Sequence, residues 1–534
     1  MVNTLFLSAK WQAGEAADSA SATRLVYNIK RLGLATQIRL RAMLNEDSTT
    51  DRPATSAAGK SEVGSYASSF SRSDVPAPAA SGSTSPWLSS STIGRFRWVI
   101  CALLFFATSI NYMDRQVISY LKEFFCRPAA QGGFGWSNSD FSYLTSAFTG
   151  FYAGVTVLAG WFIDKIGTKL GLALSLIIWS ICGIANAFVG GLLRMHIFVR
   201  SAFAVGEAGN FPASIKTVAE WFPKRERALA TAVFNAGSNG GAMIAALLVP
   251  ALMVHFGDQM GWKVAFIITG AMGFPWLIFW FWLYDHPSRH PKVSKAELDY
   301  IRVDDAPAAA NADDRTKVSW GRLFRYRQLW SFFTGKFMTD GVWWFYLFWL
   351  PDYLNKQFHM TKEQVMLPTF IVYGVAIVGS IYGGAIPKKL IERGMSVYKA
   401  RMTTMFIIAC FPLMVLLTQF FGDVQRFGGA AATLAVAMIC VGATAHQAWS
   451  ANLFTTVSDM FPKKNIASVT GIGTMAGGIG GVLVQLLAGK LTDTFIRAPQ
   501  TAYLIMFIVC GLSYLVAWLL MKALVPQHRP ITEF

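Results

Sequence analysis

The sequence predicts an all-α membrane protein, with twelve transmembrane helices arranged as two parallel six-helix halves. Three observations predict it. Only 14% of the 534 residues are charged and 53% are hydrophobic, whereas an ordinary soluble chain carries about a quarter charged residues. Apolar segments recur from about residue 98 to 522, each with the roughly 20 residues that a helix needs to cross a ~30 Å hydrocarbon layer. One block of sequence also occurs twice, six segments apart.

Residues 1–95 read as a disordered cytoplasmic tail. A short basic stretch, "RLVYNIKRLGLATQIRLRAML", precedes a Ser/Ala/Pro-rich tract that lacks the apolar density to form a core. A start codon assigned too far upstream is the other reading, with Met43 as the candidate start. The first half, 96–284, holds spans near 97–121, 140–162, 169–189, 192–219, 228–254 and 262–284. A polar central loop, 285–327, separates it from the second half, 328–522. That half holds spans near 328–354, 365–386, 400–420, 428–455, 466–490 and 501–522, and 523–534 forms a tail.

Orientation follows from Lys and Arg, which concentrate in cytoplasmic loops. The basic segments "DKIGTK", "PKRER", "PKKLIERGMSVYKAR" and "PKKN" all fall in one alternating set of loops. Placing that set inside puts both termini and the central loop in the cytoplasm. The net charge of +17 is thus topological information, and no nucleic-acid partner is expected. Six cysteines without a CxxC or Cys/His spacing suggest neither a metal site nor a disulfide framework. The histidines are scattered and show no HExxH, HxxxxD or GxSxG arrangement, so neither an enzyme nor a cofactor is expected.

The repeat is the most informative feature. "EWFPKRERALATAVFNAGSNGGAMIAALLVP" (220–250) lies over "DMFPKKNIASVTGIGTMAGGIGGVLVQLLAG" (459–489) without a gap. Phe222/Phe461, Pro223/Pro462, Lys224/Lys463, Ala228/Ala467, Thr231/Thr470 and Gly241/Gly480 coincide. Parallel halves related by an axis along the membrane normal form one plan of membrane carriers, with a binding site between them near the midplane.

Charged residues within spans are costly in hydrocarbon, so they are functional candidates. Span 1 contains "NYMDR", in which Asn111, Tyr112 and Arg115 make a polar stripe beside Asp114. Span 4 contains Arg200 and Glu207, two turns apart on one face and about 10 Å along the axis. Each therefore needs its own partner, and Gly206, Gly209 and Pro212 weaken the helix around the acid. Between spans 2 and 3, "GWFIDKIGTK" offers Gly160 for close helix contact, Gly167 for a tight turn, and Asp164 with Lys165 and Lys169 as a charge latch.

In that position, beside a six-plus-six repeat, the latch resembles the signature of the major facilitator superfamily. Thr168 stands where a second adjacent basic residue is usual, and the second-half counterpart has Pro387 where the acid would fall. "NYMDRQVISYLK", "RSAFAVGEAGNFPASIKTVAEWFPKRERALATAVFNAGSN", "HPSRHPKVSKAELDYI" and "AHQAWSANLFTTVSDMFP" look like the bacterial hexuronate transporters of the anion:cation symporter family. The resemblance covers about 95–530. It implies the major facilitator fold, a bacterial inner membrane, a working monomer, and proton-coupled symport of a sugar-acid anion by alternating access. A hexuronate is the expected substrate, with galactonate or a dicarboxylate as the alternative and a non-transporting sensor as the third reading.

The resemblance also implies roles for particular residues. Arg115 matches a substrate-contacting arginine with Asp114 as a protonatable neighbour, and Tyr152 matches a tyrosine facing the sugar acid. Arg200 and Glu207 match a pair linked to proton coupling, and Asn239 falls where an amide contacts hydroxyls. Gln447, Trp449, Ser450 and Asn452 of span 10 complete the implied site, and Tyr346 is nominated from the aromatic run of span 7. The residue chemistry agrees. A guanidinium matches a carboxylate in two prongs, and Tyr, Asn, Gln and Ser offer donors and acceptors for hydroxyls.

Overall fold

Apolar runs fold as helices because every backbone polar group must be satisfied inside the segment once water is removed. The computed structural model describes residues 94–303, 320–461, 466–527 and 531. The expected N-terminal tail up to residue 93, the middle of the central loop and the second basic loop at 462–465 lie outside the described residues. So does most of the C-terminal tail.

The first half contains α1 (Phe96–Cys126), α2 (Asn138–Ile166), α3 (Thr168–Ala185), α4 (Leu193–Glu207), α5 (Asn210–Trp221), α6 (Lys224–Ala271) and α7 (Gly273–Leu283). The second contains α8 (Arg327–Phe358), α9 (Lys362–Glu392), α10 (Val397–Cys410), α11 (Ala431–Met460), α12 (Ile466–Thr494) and α13 (Pro499–Leu524). Among the described residues, nine helical stretches are long and apolar enough to cross a membrane. One of them, Leu229–Leu283, is two expected spans joined across a bend at Gly257, where φ is 67°. Span 4 drops out because it breaks between Glu207 and Asn210, and span 7 because α8 carries Lys336, Asp340, Asp352 and Lys356. These departures account for the difference between nine and twelve.

The repeated sequence block has a repeated job. Within their halves α6 packs on α1 and α12 packs on α8, while across the halves α6 packs on α9 and α12 packs on α2. Gly241 and Gly480, matched in the repeat, mark this symmetry. A Cβ on the first would run into the carbonyl oxygen of Ser109 on α1, and one on the second into that of Phe337 on α8. Only glycine lets backbones approach so closely. The second helix of each half also opens the same way. Ser137 and Asp140 form a capping box at α2, and Thr361 and Gln364 form one at α9, each satisfying orphan N–H groups of the first turn.

The helices alternate in direction, so the molecule has two ends. One holds Lys122, Asn138, Gly257, Asp352, Lys362 and Asp493, and is called here the Lys122 end. The other holds Asp164, Lys216, Glu226, Glu392 and Asp459, and is called the Asp164 end.

Candidate functional site

Asp114 and Arg115 are neighbours on a helix, about 100° apart around its axis, so they serve different surroundings. Arg115 points to where the two halves meet. Its guanidinium lies 4.4 Å from the ring of Tyr112, 4.6 Å from Tyr152, 5.4 Å from Phe148 and 5.2 Å from Trp344 of the opposite half. Its carboxylate partner is Glu207, with Nε and Nη2 both 3.0 Å from Oε2. Asn111 Oδ1 accepts a further bond at 3.4 Å. A buried guanidinium held by rings gains about 0.5–2 kcal/mol per good cation–π contact. Its charge nevertheless depends on the carboxylate, because an unpaired charge at this depth costs several kcal/mol.

Asp114 turns the other way, into the first half. Both carboxylate oxygens are buried without a hydrogen-bond partner among the described residues, and Trp179 and Thr269 are near polar neighbours. Among the described residues, Arg200 pairs with no carboxylate. Its nitrogens donate to the backbone carbonyls of Asp114 at 3.5 Å and Arg115 at 3.1 Å, and its guanidinium packs 4.5 Å from Phe203. It thus pins α4 to α1 at the backbone of the "DR" pair. Glu207 keeps Oε1 buried and unbonded, as are Asn111 Nδ2 and Asn239 Oδ1. Buried polar atoms of this kind cost about 1–3 kcal/mol each, and four of these five are carboxylate or amide oxygens that a proton or a hydroxyl would satisfy.

The structure gathers Tyr112, Arg115, Tyr152 and Glu207 into one cluster, with Asp114 and Arg200 behind it. It does not bring all the nominated second-half residues there. Tyr346 faces α11, its hydroxyl lying 2.8 Å from where a Cβ on Gly442 would sit. Trp449 is fully buried against Tyr514. Asn452 donates to the carbonyls of Gly383 at 2.7 Å and Ala448 at 2.9 Å, tying α11 to α9. Gln447 accepts from Ser380 at 3.4 Å, and Ser450 is half-buried. The aromatic residue that α8 sends to Arg115 is Trp344, which nothing in "DGVWWFYLFWLPDYL" distinguishes from its neighbours. Gln485 was also missed. It accepts from Trp349 at 2.6 Å and Thr145 at 3.2 Å and donates to the carbonyl of Trp344 at 3.1 Å, joining α12, α8 and α2. Its signal was present, as a lone amide in "GVLVQLLAG".

The halves are tied together on one side of this cluster. At the Lys122 end, Lys122 Nζ lies 2.5 Å from Asp352 Oδ2 and 2.8 Å from Asn138 Oδ1. Lys356 donates to Asn138 at 3.0 Å, and Lys362 pairs with Asp258. The Asp493 carboxylate accepts from the backbone N–H groups of Asn138 at 2.9 Å and Ser139 at 2.7 Å. At the Asp164 end, among the described residues, Asp164–Lys216 at 2.9 Å, Arg97–Glu226 at 2.8 Å and Arg401–Asp459 pair within a half, and Lys169 pairs with Asp285 of the central loop at 3.6 Å. In the expected latch Gly167 makes the turn with φ 88°, Gly160 faces Pro212, and Lys165 lies over Trp161.

A family profile for the Major Facilitator Superfamily matches residues 104–485. The hexuronate transporter of Escherichia coli K12 is 29% identical over 441 residues, covering 82% of this chain and 95% of that one. A D-galactonate transporter of another E. coli strain is 28% identical over 431 residues, covering 79% and 95%. The crystal structure of a D-xylose-proton symporter superposes with a TM-score of 0.62 at 15% identity, covering 82% of this chain and all of that one. That likeness concerns the fold alone.

Proposed function

The chain belongs to the Major Facilitator Superfamily, and on that premise we propose that it is a proton-coupled symporter of a sugar-acid anion, with a hexuronate as the first substrate. The observation that carries this is the Arg115–Glu207 pair, buried in rings from both halves. A substrate carboxylate and Glu207 compete for one guanidinium. Protonated, Glu207 releases Arg115, which then accepts the substrate carboxylate in two prongs; ionised, it takes Arg115 back and expels the substrate. Proton and anion therefore bind together and leave together. A monoanion entering against an inside-negative potential pays about 2.3 kcal/mol per charge per 100 mV, and one co-transported proton cancels that cost. Asp114, behind Arg200, is the second proton station. The relatives' printed substrates, a hexuronate and D-galactonate, support the substrate class.

In this reading the protein works as a monomer in a bacterial inner membrane, with the Asp164 end and both termini in the cytoplasm. The halves then rock about the Arg115 cluster. The test is uptake of radiolabelled glucuronate into proteoliposomes, measured both as counterflow and as accumulation driven by a pH gradient. Glu207→Gln is expected to keep counterflow and lose pH-driven accumulation. Arg115→Ala is expected to lose both. Full uphill accumulation in the Gln variant, or normal counterflow in the Ala variant, removes the corresponding residue from its role.

A further inference from the structure

We propose that Lys336 and Asp340 of α8 form the opposite wall of the site that holds Arg115, clasping adjacent hydroxyls of the carried molecule, and that Asp340 excludes acids bearing a second carboxylate. This rests on the sugar-acid reading above. The two residues lie in the middle of an expected span, where each charge costs roughly 2.5–3.5 kcal/mol on insertion scales. Lys336 Nζ is 2.5 Å from Asp340 Oδ2 and 4.6 Å from the Phe454 ring centre. Lys336 is buried, while the Asp340 side chain keeps 17% exposure. Its carboxylate occupies the space left by Gly477 on α12, where a Cβ would collide with it.

Three observations direct the pair toward Arg115. Trp344, four residues beyond Asp340 and about 6 Å further along the axis, is the second-half ring that meets the Arg115 guanidinium. Asp340 is within electrostatic reach of Tyr112 in the other half. The pseudo-symmetry gives the third. Ser109 and Phe337 are equivalent through their contacts with Gly241 and Gly480, so the residues three positions on, Tyr112 and Asp340, occupy equivalent places. Tyr112 touches Arg115, and Asp340 is its counterpart in the second half.

An ammonium–carboxylate pair offers donors and acceptors side by side. Of two neighbouring hydroxyls, one donates to Asp340 and the other accepts from Lys336. The pair carries no net positive charge, so it has nothing to hold a second carboxylate, and Asp340 repels it. Uronates and aldonates fit this wall, and aldarates do not. A site built to hydrogen-bond a hydroxyl discriminates strongly, because its own polar groups are otherwise left unpaired.

The test is glucuronate counterflow in proteoliposomes, with galactonate and galactarate as competitors, in wild type, Asp340→Asn and Lys336→Arg. Wild type should prefer glucuronate over galactarate at least tenfold. Asp340→Asn frees the ammonium and should strengthen galactarate competition at least tenfold relative to glucuronate, whereas Lys336→Arg should keep the wild-type ratio. Galactarate-induced thermal stabilisation of purified Asp340→Asn gives the same answer if that variant transports poorly. If wild type carries glucuronate but the ratio in Asp340→Asn stays within twofold, without galactarate stabilisation, the clasp is wrong and the symporter reading stands. A wild-type preference for galactarate also overturns the clasp. If wild type carries no sugar acid, both readings fall.

Discussion

The two ends of this molecule are built from the same kinds of residue and behave differently. At the Lys122 end, charges from one half are matched by charges and helix termini from the other. At the Asp164 end, the described pairs Asp164–Lys216, Arg97–Glu226 and Arg401–Asp459 each lie within one half. The difference is energetic as well as geometric. Lys122 and Asp352 are both buried, with side-chain exposures of 1% and 4%, whereas the Asp164 side chain in its pair with Lys216 is 67% exposed. An exposed pair contributes about 0–1 kcal/mol, while removing one partner of a buried pair costs about 3–5 kcal/mol. Among the described residues, then, the ion pairs that cross between the halves lie at the Lys122 end. In the transport reading this is a state sealed outside and open inside, and turnover requires the seam to come apart.

Breaking the buried pair gives the largest expected effect. Lys122→Met leaves Asp352 in a buried setting, with Lys356 at 3.3 Å taking up part of the charge. Tyr503 still donates a hydrogen bond to the carboxylate. Loss of the closed seam should cost about 3 kcal/mol before that compensation. The natural reporter is Cys126, half-buried at this end with its thiol 3.8 Å from the Ser137 carbonyl. With Cys126 as the only cysteine, maleimide labelling in detergent should accelerate at least tenfold in Lys122→Met. Unchanged labelling, with an unchanged melting temperature, would mean that the pair does not hold the halves.

How much of this was legible in the sequence depends on where a charge sits. Arg115 and Glu207 could be found because each lies inside an expected span, where an ionisable group needs a reason. Lys122, Asp352 and Lys356 sit near span ends, where a charge is the ordinary flank of a membrane helix, and nothing local says that two flanks will meet. Lys336 and Asp340 are charges inside a span, but at i and i+4 they can pair on one helix, and nothing in the sequence says which way that pair faces. The fold was more legible than the site, because hydropathy and the gapless repeat are properties of whole segments. Trp344 and Tyr346 show the limit. Two residues apart in one aromatic run, they face different helices, and only packing decides which of them meets Arg115.

A smaller effect is expected from Asp493→Ala. This carboxylate receives the N–H groups of Asn138 and Ser139, the first donors of α2, which have no partner inside their own helix. It therefore caps the N-terminus of a helix belonging to the other half, and it favours the positive end of that helix dipole. Loss of a helix cap typically costs about 1 kcal/mol, so Cys126 labelling should rise by about fivefold, less than for Lys122→Met. An effect equal to that of Lys122→Met would mean the two sites break as one unit. No effect would mean that the cap does not hold the seam closed.

The smallest effect belongs to Asp258, beside the Gly257 bend and outside the spans. Burial raises its carboxyl, yet hydrogen bonds from Lys362 and Arg127 outweigh it and hold the group below its ordinary value. The sign follows from that depression. The contribution of Asp258 to the closed seam is fully present above the ordinary aspartate value near pH 4 and is lost only as pH falls through the lower value of the closed state. About a third of its side chain is exposed, and solvent screens the pair, so the gain is under about 1 kcal/mol. Asp258→Asn should therefore change Cys126 labelling by no more than a few-fold between pH 6 and 8. Thiol reactivity itself changes with pH, so the comparison between wild type and variant is made at each pH. The difference should hold constant down to about pH 4 and vanish below it. A difference that shrinks between pH 8 and 6 would show that another titrating group, and not Asp258, sets the strength of this part of the seam.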